Sequence, residues 1–143
     1  MPEVTYRRAH HVVSELQRTQ AGAQALENND YKEFGRLMYQ SHESLQKFFE
    51  VSCEELDQLV ELARSVDGVY GSRMTGGGFG KRLCLIDCYN PFILGGCTVT
   101  LVKKSAVKKC IETIDKGYKG EASFYVFEPS DGARPIDIKT SQK

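Results

Sequence analysis

The chain has 143 residues, enough for one domain around one core and too few for two of ordinary size. Nineteen Lys and Arg balance nineteen Asp and Glu, and the two signs alternate along the chain, so no basic stripe stands ready to neutralise nucleic-acid phosphates. No apolar run approaches a membrane span, and the first eight residues lack the basic and apolar stretches of a secretory leader, so a cytoplasmic protein without a nucleic-acid or membrane partner is expected.

Ala9, Val12, Val13, Leu16, Gln20, Ala23 and Leu26 fall on the three-four spacing of an amphipathic helix, which Glu27 to Asp30 end with residues that favour caps and turns. Asp30 and Glu33 have the spacing of a capping box ahead of a second apolar stripe, Phe34, Leu37, Met38, Leu45 and Phe48. Ser52 and Glu55 repeat that spacing before Leu56, Leu59, Val60 and Ala63, and Asp67-Gly68 supplies the stop of this third helix. Val69 to Thr75 and Cys97 to Val102 read as strands, the second rich in β-branched residues that suit a pleated, half-buried surface. Ser105 is placed to cap a fourth helix that buries Val107, Cys110, Ile111 and Ile114 and ends before Gly117. Ala122 to Phe127 reads as another strand, and the rest is turn-rich and polar. Helices first, then strand, strand, helix, strand: this order predicts an α+β fold, with helices packed on an antiparallel sheet.

Residues that bear chemistry are sparse. Cys53, Cys84, Cys88, Cys97 and Cys110 are odd in number and contain no Cys-x-x-Cys, which predicts reduced thiols rather than a disulfide framework or a zinc site. His42 lies near the second stripe with no other histidine at metal-ligating spacing, and is assigned no catalytic role. The segment "RMTGGGFGKRLCLIDCYNPFILGGCTVTLV", from Arg73 to Val102, is more informative. Consecutive glycines remove every Cβ and permit positive φ, so their amides can come close to an anionic ligand or another backbone; the plainer reading is a hairpin turn. A Walker loop ending at Gly80-Lys81 would need glycine at position 75 and serine or threonine at position 82, where Thr75 and Arg82 stand. A dinucleotide fingerprint from Gly76 would need a glycine where Lys81 stands. Neither signature is present.

The strings "GSRMTGGGFG" and "GCTVTLV" together resemble the third conserved motif of the GHMP sugar and small-molecule kinases. In the galactokinase branch the two pieces are contiguous, and the glycine loop here is closer to that branch than to the N-acetylgalactosamine kinases, which tend to have Gly-Ala-Gly-Trp-Gly. "YRRAHHVVSEL", "NNDYKEFGRLMYQSHESL", "EVSCEELDQLVELARSVDGVYGSRMTGGGFG" and "GEASFYVFEPSDGARP" resemble the C-terminal region of the same family, so the likeness covers almost the whole chain. It implies a ferredoxin-like GHMP C-terminal domain over residues 1–143, interrupted by an inserted segment at Lys81 to Gly95. Gly80-Lys81 is what an in-frame splice donor would encode, so retained intron and genuine loop both stay open.

The resemblance further implies transfer of the ATP γ-phosphoryl group to the anomeric hydroxyl of galactose, with Mg2+. Thr75, Gly76, Gly77, Gly78, Phe79 and Gly80 then line the substrate and phosphate end of the site, with no catalytic base and no metal ligand among them. Arg73 is expected to be a structural ion-pair partner. The family's Gly-Glu-His-Thr-Asp and Gly-Leu-Ser-Ser-Ser motifs, which belong to its N-terminal domain, do not occur in these residues. Residues 1–143 alone are therefore expected to be inactive and to bind neither ATP nor Mg2+ tightly. A non-catalytic sensor or interaction fragment, or a truncated splice product, is the alternative.

Overall fold

The computed structural model describes residues 1–77 and 96–129. Four α-helices, α1 (Glu3–Glu27), α2 (Tyr31–Ser44), α3 (Glu54–Arg64) and α4 (Val107–Gly117), accompany two strands, β1 (Val69–Thr75) and β2 (Cys97–Val102). The strands pair antiparallel, from Thr75 opposite Cys97 to Val69 opposite Val102, with one irregularity between Val69 and Gly71. Helices on an antiparallel pair make the α+β arrangement that the element order predicts.

Two apolar clusters hold the elements together. Ala63 and Val66 at the end of α3 meet Cys110 and Ile114 of α4, with Leu59, Leu62, Val69, Val102 and Tyr118 around them. Val51, Leu56 and Met74 form the second cluster against Leu45, Phe49 and Cys53, and so tie the far end of β1 to α3. Where α2 crosses β1 at Gly35 and Gly71, the two backbones meet with no side chain between them. A Cβ on Gly35 would stand 2.0 Å from the Tyr70 carbonyl oxygen, and one on Gly71 would stand 2.4 Å from Gly35 Cα, so only glycine on both sides permits this approach.

The second helix begins as predicted, with the Asp30 side chain accepting from Glu33 N–H at 3.0 Å. The reciprocal half of the box is not made, because the Glu33 carboxylate turns to Arg36. The predicted stripe runs past the α-helical part: Leu45–Phe49 forms a π turn that prolongs α2 and is closed by Glu50 at φ 59°. That wider turn lets two consecutive aromatic residues face α1, Phe48 stacked on His10 at 4.5 Å and Phe49 on His11 at 4.6 Å.

Several expectations are corrected. Ser52 does not cap α3; its N-cap is Cys53, and the Ser52 hydroxyl, instead of accepting from a helix amide, donates to the Asp57 carboxylate, Oγ to Oδ1 at 2.6 Å, a charge-assisted bond. Ser105 is not a cap either, because it lies inside a 3-10 turn, Lys104–Ala106, that leads straight into α4, and α4 includes Gly117 as its last residue. Residues 122–127 form no strand. Phe124, Tyr125, Val126 and Phe127 are 36%, 75%, 64% and 82% exposed, and β propensity without a partner edge does not make a ladder.

The largest correction concerns α1. Its predicted stripe is solvent-exposed at every one of its seven positions. The face against the rest of the molecule carries His11, Gly22 and Ala25, all buried. His11 Nδ1 meets Ser44 Oγ at 2.8 Å, Ser41 Oγ donates to Glu15 Oε2 at 2.6 Å, and Arg8 donates to the Phe48 carbonyl. Buried polar groups are tolerated when each finds a partner, as the His11 ring, Ser41 and Ser44 do here, while Arg7 Nε on the same helix is buried without one.

Candidate functional site

β1 delivers the glycine segment. Met74 is its last fully buried residue, 1% exposed; Thr75 is half-buried, and Gly76 and Gly77 are exposed. Gly76 sits at φ +79°, which L side chains rarely adopt, and a Cβ on Gly76 or Gly77 would meet nothing within 4 Å. Packing therefore does not require glycine at position 77. Of the expected site-lining residues, Thr75, Gly76 and Gly77 are thus contiguous at the strand end, while Gly78, Phe79 and Gly80 lie outside the described residues, as does Lys81 to Gly95.

The strand end is fixed from several directions. Thr75 pairs with Cys97, whose Sγ lies 3.7 Å from the Thr75 carbonyl oxygen, and Ser72 Oγ meets Thr100 Oγ1 at 2.9 Å. Arg73 Nε donates to the Met74 carbonyl at 3.0 Å, and its NH1 stands 4.0 Å from Glu15 Oε2 on α1, an ion-pair role of the kind expected for it. Met74 N–H donates to His42 Nδ1 at 3.2 Å, so β1 has β2 along one side and α2 along the other.

His42 is 5% exposed, and its other nitrogen, Nε2, lies 3.2 Å from Asp57 Oδ1. An Nδ1 that accepts from an amide must be unprotonated, which assigns the proton to Nε2. Burial holds the imidazole below the ordinary histidine range, with the Asp57 carboxylate acting against it. Burial lowers His11 in the same way, opposed by Glu15 and reinforced by Arg18, Arg73 and Arg8. The His42–Asp57 pair resembles a catalytic dyad on paper, yet Nδ1 is taken by a backbone amide and the ring is enclosed, so it has no proton to exchange with a substrate.

Sequence reasoning passed over this pair. One signal was present: His42 comes four residues after Met38 and three before Leu45, on the apolar stripe, and a polar ring on a buried face must find partners. Among the described residues no group of three or more His, Cys, Asp or Glu side chains could hold a metal ion, and no helix is long and apolar enough to cross a membrane. Cys53, Cys97 and Cys110 are free, and burial raises the Cys53 and Cys110 thiols.

A family model described as GHMP kinases C terminal matches residues 23–86, which take in α2, α3, β1 and the glycine segment. Galactokinase from Bos taurus is 51% identical over 136 residues, 95% of this chain and 31% of that protein; galactokinase from Homo sapiens is 51% identical over 131 residues, 92% of this chain and 30% of that protein. The chain is similar to the C-terminal region of the GHMP kinases, in their galactokinase branch. The crystal structure of Lactococcus lactis galactokinase complexed with galactose superposes with a TM-score of 0.70 at 34% identity, covering 82% of this chain and 26% of that one. The chain thus spans about 30% of the length of the curated relatives it matches, and the likeness is to their C-terminal region.

Proposed function

We propose that this chain serves as the C-terminal part of a galactokinase, which phosphorylates galactose at its anomeric hydroxyl with ATP, and that Thr75 to Gly80 line the sugar and phosphate end of the site. The observation that carries the reading is the exposed backbone of Gly76 and Gly77 at the end of β1, glycines that packing does not explain, in a chain half identical to galactokinases. Phosphoryl transfer asks the protein mainly for positioning and charge stabilisation. Glycine backbone without Cβ lets amide N–H groups come within hydrogen-bond reach of phosphoryl oxygens. The anchors of Met74 and Thr75 would hold that backbone still. The described residues do not fit a magnesium site, since they offer no carboxylate cluster, and no step through the ion is assigned to them. Free thiols at Cys53, Cys97 and Cys110 support a reducing, cytoplasmic setting.

Two expectations belong to this reading. Residues 1–143 by themselves do not transfer phosphate, because the phosphate cradle and base motifs of the family do not occur in them. Lys81 to Gly95 is an insertion that separates the glycine loop from its partner strand. Purified chain with labelled Mg-ATP and galactose should give no more galactose 1-phosphate than a no-protein control. Residues 71–102 grafted into an intact galactokinase should abolish turnover, and deletion of 81–95 from the graft should restore it. Equal turnover in both grafts would show that the segment is a harmless surface loop.

A further inference from the structure

The neutral imidazole of His42 has one donor and one acceptor, and its two partners need one of each. Met74 N–H is a donor that must be accepted, and Asp57 is an acceptor that must be given a hydrogen. Asp57 is itself held by Ser52 Oγ on Oδ1 and Gln46 Nε2 on Oδ2. A chain of hydrogen bonds therefore runs from α3 and the π turn, through one ring on α2, to the last buried amide of β1. Two residues beyond that amide is Gly76. The charged groups that face the ring come from α3: Asp57, Arg64 and Glu61. Arg73 on β1 is turned towards Glu15 instead.

We infer that His42 is the positioning residue for the Thr75–Gly77 turn, and that it acts as a proton-sensitive latch on that turn. A proton taken up on Nδ1 would set N–H against N–H at 3.2 Å inside a closed pocket. Neither donor could then be satisfied there, so Met74 must withdraw and carry the turn with it. Asp57 keeps its bond to Nε2–H in both states, which makes the Met74 side the one that yields. The consequence for phosphoryl transfer rests on the proposed function; the coupling of ring and turn does not.

The test reads geometry rather than turnover. Nitrogen and amide spectra of the chain are followed from about pH 8 to about pH 4, because burial holds His42 below the span in which ordinary histidines titrate. At the upper end the His42 ring nitrogens should report the Nε2–H tautomer. The amides of Met74, Thr75, Gly76 and Gly77 should then move together with the midpoint of His42, not that of His11. His42→Asn keeps an acceptor where Nδ1 stands, so it should leave these amides near their high-pH positions and remove their titration. Asp57→Asn takes away the charge that favours imidazolium and should lower the midpoint by about one pH unit. Glycine amides that ignore the His42 titration in the unaltered chain would overturn the inference without need of any variant, as would an unmoved midpoint in Asp57→Asn. Such a failure would leave the kinase reading intact, and failure of the turnover experiment would leave the latch intact.

Discussion

α1 and α4 carry the same signal in sequence and use it in opposite ways. The residues predicted to be buried on α4 turn inward, with Cys110 and Ile114 5% and 7% exposed against Ala63 and Val66. On α1 the corresponding stripe turns outward, with Val13 57% and Leu16 64% exposed, and the helix is held by its polar side. A three-four repeat identifies which face of a helix is apolar; it does not say what that face meets. Where an element's apolar face is bare and its polar face is bonded, the packing inside these residues is only part of what shaped the sequence.

The sharpest way to break this contrast is to truncate one residue on each helix. Ile114→Ala should cost about 3 kcal/mol in urea unfolding, as buried isoleucine truncations do. Leu16→Ala should cost less than about 0.5 kcal/mol. Measured on chain dilute enough to be monomeric, comparable losses at both positions would mean that the α1 stripe is packed within the chain.

Titration probes the polar face next. His11 and His42 both hold protons less tightly when folded than an ordinary histidine does, burial being the first cause in each. The unfolded chain then binds more protons in acid. Their contribution to stability is complete above about pH 6.5 and is lost as pH falls below it, by at most about 1.4 kcal/mol per pH unit for each ring. A melting temperature that stays level between about pH 7 and pH 5 would remove the case for two buried neutral imidazoles. His11→Gln should reduce the slope while leaving part of it to His42.

Smaller effects sharpen the comparison without threatening the fold. An exposed apolar face of this length favours association, so the chain should sediment as oligomers, and Val13→Glu with Leu16→Glu should shift it towards monomer with little change in unfolding free energy. An unaltered chain that runs as a monodisperse monomer would contradict this. Gly22→Ala is the mildest change. Its Cβ would lie 3.3 Å from the Phe34 ring edge, a contact the ring can relieve, while alanine gains up to about 1 kcal/mol of helix propensity. The two effects should nearly cancel, within about 0.5 kcal/mol.

The readable parts of this fold are those that local chemistry decides. Asp30 announces α2, the β-branched run from Cys97 announces β2, and Gly76 announces a backbone that leaves the L-residue region. What escaped was decided by partners that cap spacing and propensity do not name. Ser52 had a capping spacing but found the Asp57 carboxylate, and the apolar run at 122–127 had strand propensity but pairs with neither β1 nor β2. In the candidate site, Thr75 to Gly77 were visible because glycine is conspicuous. His42 was passed over because its importance lies in two hydrogen bonds made to different elements, which no spacing along α2 encodes.

The glycine seam between α2 and β1 has a consequence in time as well as in space. Gly35 and Gly71 bring two backbones together with no side chain between them. Side chains that interdigitate can part by degrees, but two bare backbones in contact have no intermediate separation at which anything is still shared. Once they part, water reaches both at once. The inner turns of α2 and the residues of β1 should therefore exchange their amide hydrogens as one cooperative unit, with a common opening free energy, although a long stretch of sequence and the whole of α3 lie between them.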